Sequence, residues 1–211
     1  MKSIALVILI AACFAGVLPA TELYSWHSLD FAEQLHSKLE LQLTSRIRTR
    51  DSFHFIQQVR GGPILRWRAT EKNMLYGGYY SQPGHDPNVP WRMGQRLFVG
   101  IERPWNFARF MILNRAAYER HFTGGGRPDY NRFRTSTRLF LPGRTVMPFV
   151  QSEWLAVRQG FHSTRSSGGI RVRVSASMTF EASYLYDVRR TVWGGDRSAI
   201  QTSIQFRRPE R

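Results

Sequence analysis

The sequence predicts an all-β fold: an antiparallel up-and-down β-barrel of about ten strands, within a range of roughly 8–12, of the outer-membrane type. Three observations predict it. Apolar and charged residues alternate through many segments, an export signal precedes them, and the connections between them are alternately long and short. The run from Ile170 to Glu181 is the clearest segment, with Arg171, Arg173 and Glu181 on its polar half and no slip in the alternation. A period of two belongs to a strand whose faces meet different media.

Residues 1–20 read as a secretory signal peptide. Lys2 gives the positive start, Ile4 to Leu18 is apolar apart from small residues, and Leu18-Pro19-Ala20 precedes Thr21, where polarity begins. The stretch is too short and wrongly flanked for a spanning helix. A looser reading makes Cys13 the acylated residue of a lipoprotein site. Cys13 is the single cysteine, so a chain starting at Thr21 has no disulfide, thiolate nucleophile or thiolate metal site. After the signal, no stretch approaches the roughly 18 apolar residues of a helical span.

The charge is the compositional outlier. Lysine and arginine number 30 against 15 acids, a net +15, and only Lys2, Lys38 and Lys72 are lysines. Such a balance suggests nucleic acid or an anionic surface, and a GC-rich genome accounts for part of the arginine excess. Position argues against nucleic acid as the partner. The arginines recur at every second residue within strands instead of clustering on loops or a helix face.

Each strand follows from its pattern. The expected spans are 36–48, 53–68, 73–81, 92–103, 108–122, 131–141, 147–158, 168–176, 179–190 and 198–206. In the first, Leu39, Leu41, Leu43 and Ile47 alternate with Lys38, Glu40, Gln42, Arg46, Arg48 and Arg50. Around 92–103, Met93, Leu97, Val99 and Ile101 oppose Arg92, Arg96 and Glu102. From Arg132 to Leu141, Phe133, Thr135, Thr137, Leu139 and Leu141 oppose Arg132, Arg134, Ser136 and Arg138. In the last, Ile200, Thr202, Ile204 and Phe206 oppose Gln201, Ser203 and Gln205. A soluble, lipocalin-like barrel or sandwich also alternates, but its solvent face usually mixes Lys, Glu and Asp. Many strands with one clean apolar face fit a closed barrel in lipid better. Leu39, Leu41, Val172, Val174, Ile204 and Phe206 are therefore expected to face lipid, and Arg134, Arg138, Arg171 and Arg173 the lumen.

Long connections are expected at 82–91, 123–130, 159–167 and 191–197, and short ones at 70–72, 104–107, 142–146 and 177–178. Bacterial outer-membrane barrels have short periplasmic turns and longer external loops. An even strand number with both barrel ends on the short-turn side satisfies this. Residues 21–35 are then an N-terminal segment that plugs the lumen or adds a strand, 36–206 the barrel domain, and 207–211 a basic C-terminal overhang. Gly61-Gly62-Pro63 offers a break that would split 53–68 in two. Trp91, Trp105, Trp193, Tyr79, Tyr80 and Tyr130 fall near strand ends, where aromatic girdles sit. Phe206 supplies the aromatic that assembly machinery reads near a barrel C-terminus, although Arg207 to Arg211 overhang it.

In order and spacing, several pieces resemble the uncharacterised exported bacterial family called domain of unknown function 2490. They are Leu23-Tyr24-Ser25-Trp26, the strand Asn114 to Phe122, Arg132-Phe133-Arg134 through Arg138, Pro148 to Trp154, and Glu181 to Tyr186. The resemblance implies a small exported β-barrel of the outer membrane and brings no catalytic residues and no known ligand.

The candidate site is the inward charge set: Arg115, Glu119, Arg134, Arg138, Glu153, Arg171, Arg173 and Glu181, with Gln151 beside them. Arginine forks match carboxylates bidentately, so a hydrogen-bonded lumen network is expected. Acids are outnumbered, which leaves surplus guanidiniums to bind or conduct a small anion. A lipid-modifying hydrolase built on a Ser–His pair is the alternative. His54, His85, His121 and His162 are available, but spacing singles out no pair, no Gly-x-Ser-x-Gly occurs, and no His-x-x-x-His metal spacing is present. The expectation is a non-catalytic monomer without cofactor or metal, whose partners are outer-membrane lipid, the barrel-assembly machinery and small anions.

Overall fold

A computed structural model of the chain describes residues 23–50, 54–85, 90–124, 128–141, 143, 145–158, 160–190 and 195–208. Residues 1–20, expected to be a signal peptide, Trp193, part of the glycine run at 124–126 and residues 209–211 lie outside them. The described residues form one closed barrel of eleven strands. In chain order these are β1 (Leu23–His36), β2 (Leu39–Arg50), β3 (Phe55–Arg68), β4 (Met74–Ser81), β5 (Gln95–Asn106) and β6 (Met111–Phe122). They continue as β7 (Tyr130–Phe140), β8 (Val146–Val157), β9 (Gly160–Arg173), β10 (Met178–Arg189) and β11 (Arg197–Arg207).

Successive strands pair antiparallel, but β1 and β11 close the barrel side by side in the same direction, from Leu23↔Ser198 to Ala32↔Arg207. The expectation of an even strand number is thereby corrected. Residues 23–36 continue the alternation and become a strand of their own, so they wall the lumen instead of plugging it. Parallel closure also puts the two barrel ends at opposite rims. β1 begins at the rim carrying connections 51–54, 82–94, 123–129, 158–159 and 190–196, and β11 ends at the other. Stacked rings of Phe31 and Phe206, 5.3 Å between centroids, pin the register of the closing pair.

Two local expectations change. Gly61-Gly62-Pro63 does not break β3, because the whole segment stays paired with β2. The long connection at 159–167 is instead mostly strand, since β9 starts at Gly160. That residue has φ +106°, a conformation L side chains rarely adopt and glycine takes freely. The inward glycines Gly78 and Gly100 meet the Phe98 and Tyr76 rings, which lie close enough that a Cβ would clash. These flat-lying rings keep the β4–β5 wall thin.

The faces sort as alternation predicts, apolar outward and charged inward. Leu29, Leu43, Ile47, Leu65, Leu97, Val99, Ile101, Phe133, Trp154, Ile200 and Ile204 are exposed on the outer face. Arg46, Arg60, Arg66, Arg96, Arg134, Arg138, Arg171, Glu119 and Glu181 line an internal cavity of about 490 Å³. Trp67 and Trp105 are exposed at one rim and Trp91 and Phe161 at the other. Tyr80 and Tyr130 turn inward instead of joining an outer girdle, Tyr80 to line the cavity and Tyr130 to stack on the buried His121 at 4.4 Å. Apolar clusters close in on the lumen from both ends, Tyr24, Trp26, Leu185 and Ala199 at one, Phe140 against Phe149 at the other. Burying apolar surface inside a charged lumen fixes its ends without further ion pairs.

Candidate functional site

Three carboxylates organise the wall from β6 to β10. Glu119 accepts from Arg132 Nη2 at 2.6 Å and Nε at 2.8 Å, from Arg96 at 3.4 Å, and pairs with His121 Nε2 at 3.0 Å. Glu153 accepts from Arg134 Nε at 2.7 Å and Arg165 Nη1 at 3.0 Å. Glu181 accepts from Arg138 at 3.0 Å and from Arg171 at 2.8 Å. Arg138 also donates to Gln151 at 2.5 Å. Arg165 bridges onward to Asp187 at 3.1 Å, so the network runs continuously across the strands. Most of these pairs join neighbouring strands because alternate residues of adjacent strands point into the same space, whereas Arg138 on β7 reaches past β8 and β9 to Glu181 on β10.

On the opposite side, Glu102 holds Arg66 at 2.8 Å and also binds Arg115, and Glu40 holds Arg207 at 2.9 Å and Arg66 at 3.5 Å. Seven of the eight residues expected in the charge set, Arg115, Glu119, Arg134, Arg138, Glu153, Arg171 and Glu181, thus join ion pairs. Arg115 pairs with Glu102 across strands, not with Glu119 on its own strand. Arg173 is the exception. It is the last residue of β9 and is exposed at the rim, beyond the cavity lining. Val174 likewise lies past the strand end, 53% exposed. Arg60, Arg66, Arg165 and Asp187 escaped sequence reading. Gly61-Gly62-Pro63 masks the alternation that places Arg60 and Arg66, and Arg165 falls in the segment expected to be loop.

A second group of guanidiniums has no such acids. Among the described residues, no carboxylate lies within ion-pairing distance of Arg46, Arg48 or Arg60. Arg48 instead lies over the Trp26 ring at 4.2 Å, and Arg60 and Arg96 both lie over Tyr80, at 4.7 and 4.6 Å. Arg60 is buried, and Arg48 Nε is buried without a hydrogen-bond partner. Aromatic faces offset part of the desolvation, by about 0.5–2 kcal/mol each, but accept no N–H bonds in the guanidinium plane. Arg46 and Arg60 line the cavity, and Arg48 lies over Trp26, itself a lining residue; a planar, multi-donor cation beside a polar cavity is suited to an oxyanion.

The alternation, the arginine-lined interior and the order of the strand motifs meet in one comparison. A family model described as Protein of unknown function (DUF2490) matches residues 23–198. The chain belongs to that family. The matched span begins at the first residue of β1 and ends within β11, so membership covers nearly the whole barrel. No curated protein matches the sequence.

Proposed function

We propose that this member of the family is a small outer-membrane β-barrel whose lumen takes up small anions at Arg46, Arg48 and Arg60. The observation that carries the reading is the inversion of the faces, with apolar side chains outside and more guanidiniums than carboxylates inside. A lipid-facing apolar belt with aromatic rims is what spanning barrels need. A lipocalin-like soluble carrier needs the reverse, an apolar lumen and a wet exterior. The surplus arginines support the anion part, because buried unpaired charges persist only where something satisfies them. In this reading the lumen binds and does not react, and the protein works as a monomer inserted by the barrel-assembly machinery.

Fractionation of cells, with electrophoresis of boiled and unboiled samples, tests placement. The expected result is extraction only by detergent and a compact, heat-modifiable band. A protein soluble in the periplasm without detergent overturns it. In planar bilayers, current selective for cations would contradict the anion assignment.

A further inference from the structure

Beside the β1–β11 seam, the outer face holds a group of polar side chains among apolar ones, as it also does where Thr137 donates to Asn114 between β6 and β7. Ser25, His27, Thr49 and Thr202 share the outward parity of Leu29, Ile47, Ile200 and Ile204, which are exposed around them; Ser25 and Thr49 lie buried beneath their neighbours, and His27 is half-buried. The parallel closure makes the group, because His27 is level with Thr202 across the β1–β11 seam, and Ser25 is level with Thr49 across β1–β2. Ser25 Oγ lies 3.0 Å from His27 Nε2, and His27 Nδ1 lies 2.7 Å from Thr202 Oγ1. Ser25 Oγ is also 2.5 Å from Thr49 Oγ1. A hydroxyl against one imidazole nitrogen, with an oxygen fixing the other, is the geometry of an activated nucleophile. The expectation of no catalysis weighed His54, His85, His121 and His162. His27 is set apart from them by a seam that the sequence does not reveal.

We propose that Ser25, His27 and Thr202 form a membrane-facing esterase site that cleaves carboxylic esters of long acyl chains. The proposal rests on the membrane reading above, since that reading brings acyl chains to this face. Ser25 and Thr49 lie near the rim that carries the longer connections, close to where ester linkages sit at a bilayer boundary. His27 Nε2 takes the proton of Ser25 Oγ as that oxygen attacks the ester carbonyl carbon. The carbon–oxygen bond to the alcohol breaks, and His27 returns the proton to the departing alkoxide, leaving an acyl-serine. Water then attacks the acyl-serine, losing its proton to His27, and the fatty acid leaves as Ser25 recovers its proton. Thr202 accepts the Nδ1–H and holds the ring in the tautomer that leaves Nε2 basic. Thr49 is a positioning residue, holding Ser25 Oγ against the imidazole. A purely structural cluster, satisfying its own polar atoms in an apolar surround, makes no use of nucleophile strength, so reactivity separates the two.

The purified full chain, folded in detergent micelles, is exposed to a fluorophosphonate probe. It is also mixed with phosphatidylethanolamine in one arm and lipopolysaccharide in another, and free fatty acid is measured. The expected result is a probe adduct on Ser25 and fatty acid release from at least one arm, the arm identifying the ester's source. Ser25→Ala and His27→Ala should each lower release by about 100-fold or more. Thr202→Val should lower kcat with KM unchanged, and Thr202→Ser should restore it. Heat-modifiable mobility of each variant shows that the barrel is folded. A folded wild type that neither labels at Ser25 nor releases fatty acid in either arm overturns the proposal, as does undiminished release by Ser25→Ala. Failure of the membrane reading registers separately, as solubility without detergent, and leaves probe labelling readable.

Discussion

Two walls of the lumen are both built from arginine and differ in what the arginines face. On the β6–β10 wall, Arg132, Arg134, Arg138, Arg165 and Arg171 each reach a carboxylate on a nearby strand. On the β2–β3 wall, Arg48 and Arg60 reach aromatic rings, and Arg46 reaches no acid among the described residues. Residue type alone would assign them the same role. The acids decide. One wall is a cross-braced strut whose charge is largely neutralised, and the other keeps a positive potential facing the cavity. Inward positions of β2 explain the difference, since Gln42 and Thr44 separate Arg46 from Glu40, which is taken up by Arg66 and Arg207 near the far rim.

Breaking the braced wall should give the largest effect. Glu119→Ala strands Arg132 and Arg96 in the lumen, and loss of one partner from a buried ion pair typically costs about 3–5 kcal/mol. Guanidinium unfolding of the barrel in micelles, followed by tryptophan fluorescence, should show a loss of that size. A loss under about 1 kcal/mol would mean the network is solvated and braces little.

The outward face sharpens the contrast between media. Leu97→Arg places a charge in the apolar belt, at roughly 2–4 kcal/mol if the site is near the bilayer midplane. Unfolding from lipid vesicles measures this, and an unchanged midpoint would argue that β5 does not face lipid.

On the second wall the sign reverses. Arg48→Met removes a guanidinium that has no acid to leave behind, so stability in anion-free buffer should stay level or rise by about 1 kcal/mol. The same substitution at Arg134 should destabilise, because Glu153 would keep only Arg165. Equal costs at the two positions would erase the distinction between the walls.

Much of this architecture was legible in the sequence. Alternation placed Arg134, Arg138 and Arg171 inward and Leu43, Leu97 and Ile204 outward, because a period of two needs no knowledge of partners. Which acid meets which arginine was not legible, since Arg115–Glu102 and Arg138–Glu181 depend on strand register and on reach across the lumen. The strand number was hidden for a related reason. Antiparallel neighbours announce themselves by turns, whereas β1 joins β11 with no connection between them to read. The Ser25–His27–Thr202 group stayed invisible along with that seam. Arg165 was lost because 159–167 was read as a long connection, whereas β9 begins at Gly160.

Titration calorimetry of inorganic phosphate into the detergent-solubilised barrel tests the central claim, that the unbraced wall binds anions. The predicted result is saturable binding at one site that is abolished in Arg48→Met/Arg60→Met and retained in Arg171→Met, whose position lies in the braced wall. Absence of binding by the folded wild type, or binding that survives the double substitution, would contradict it.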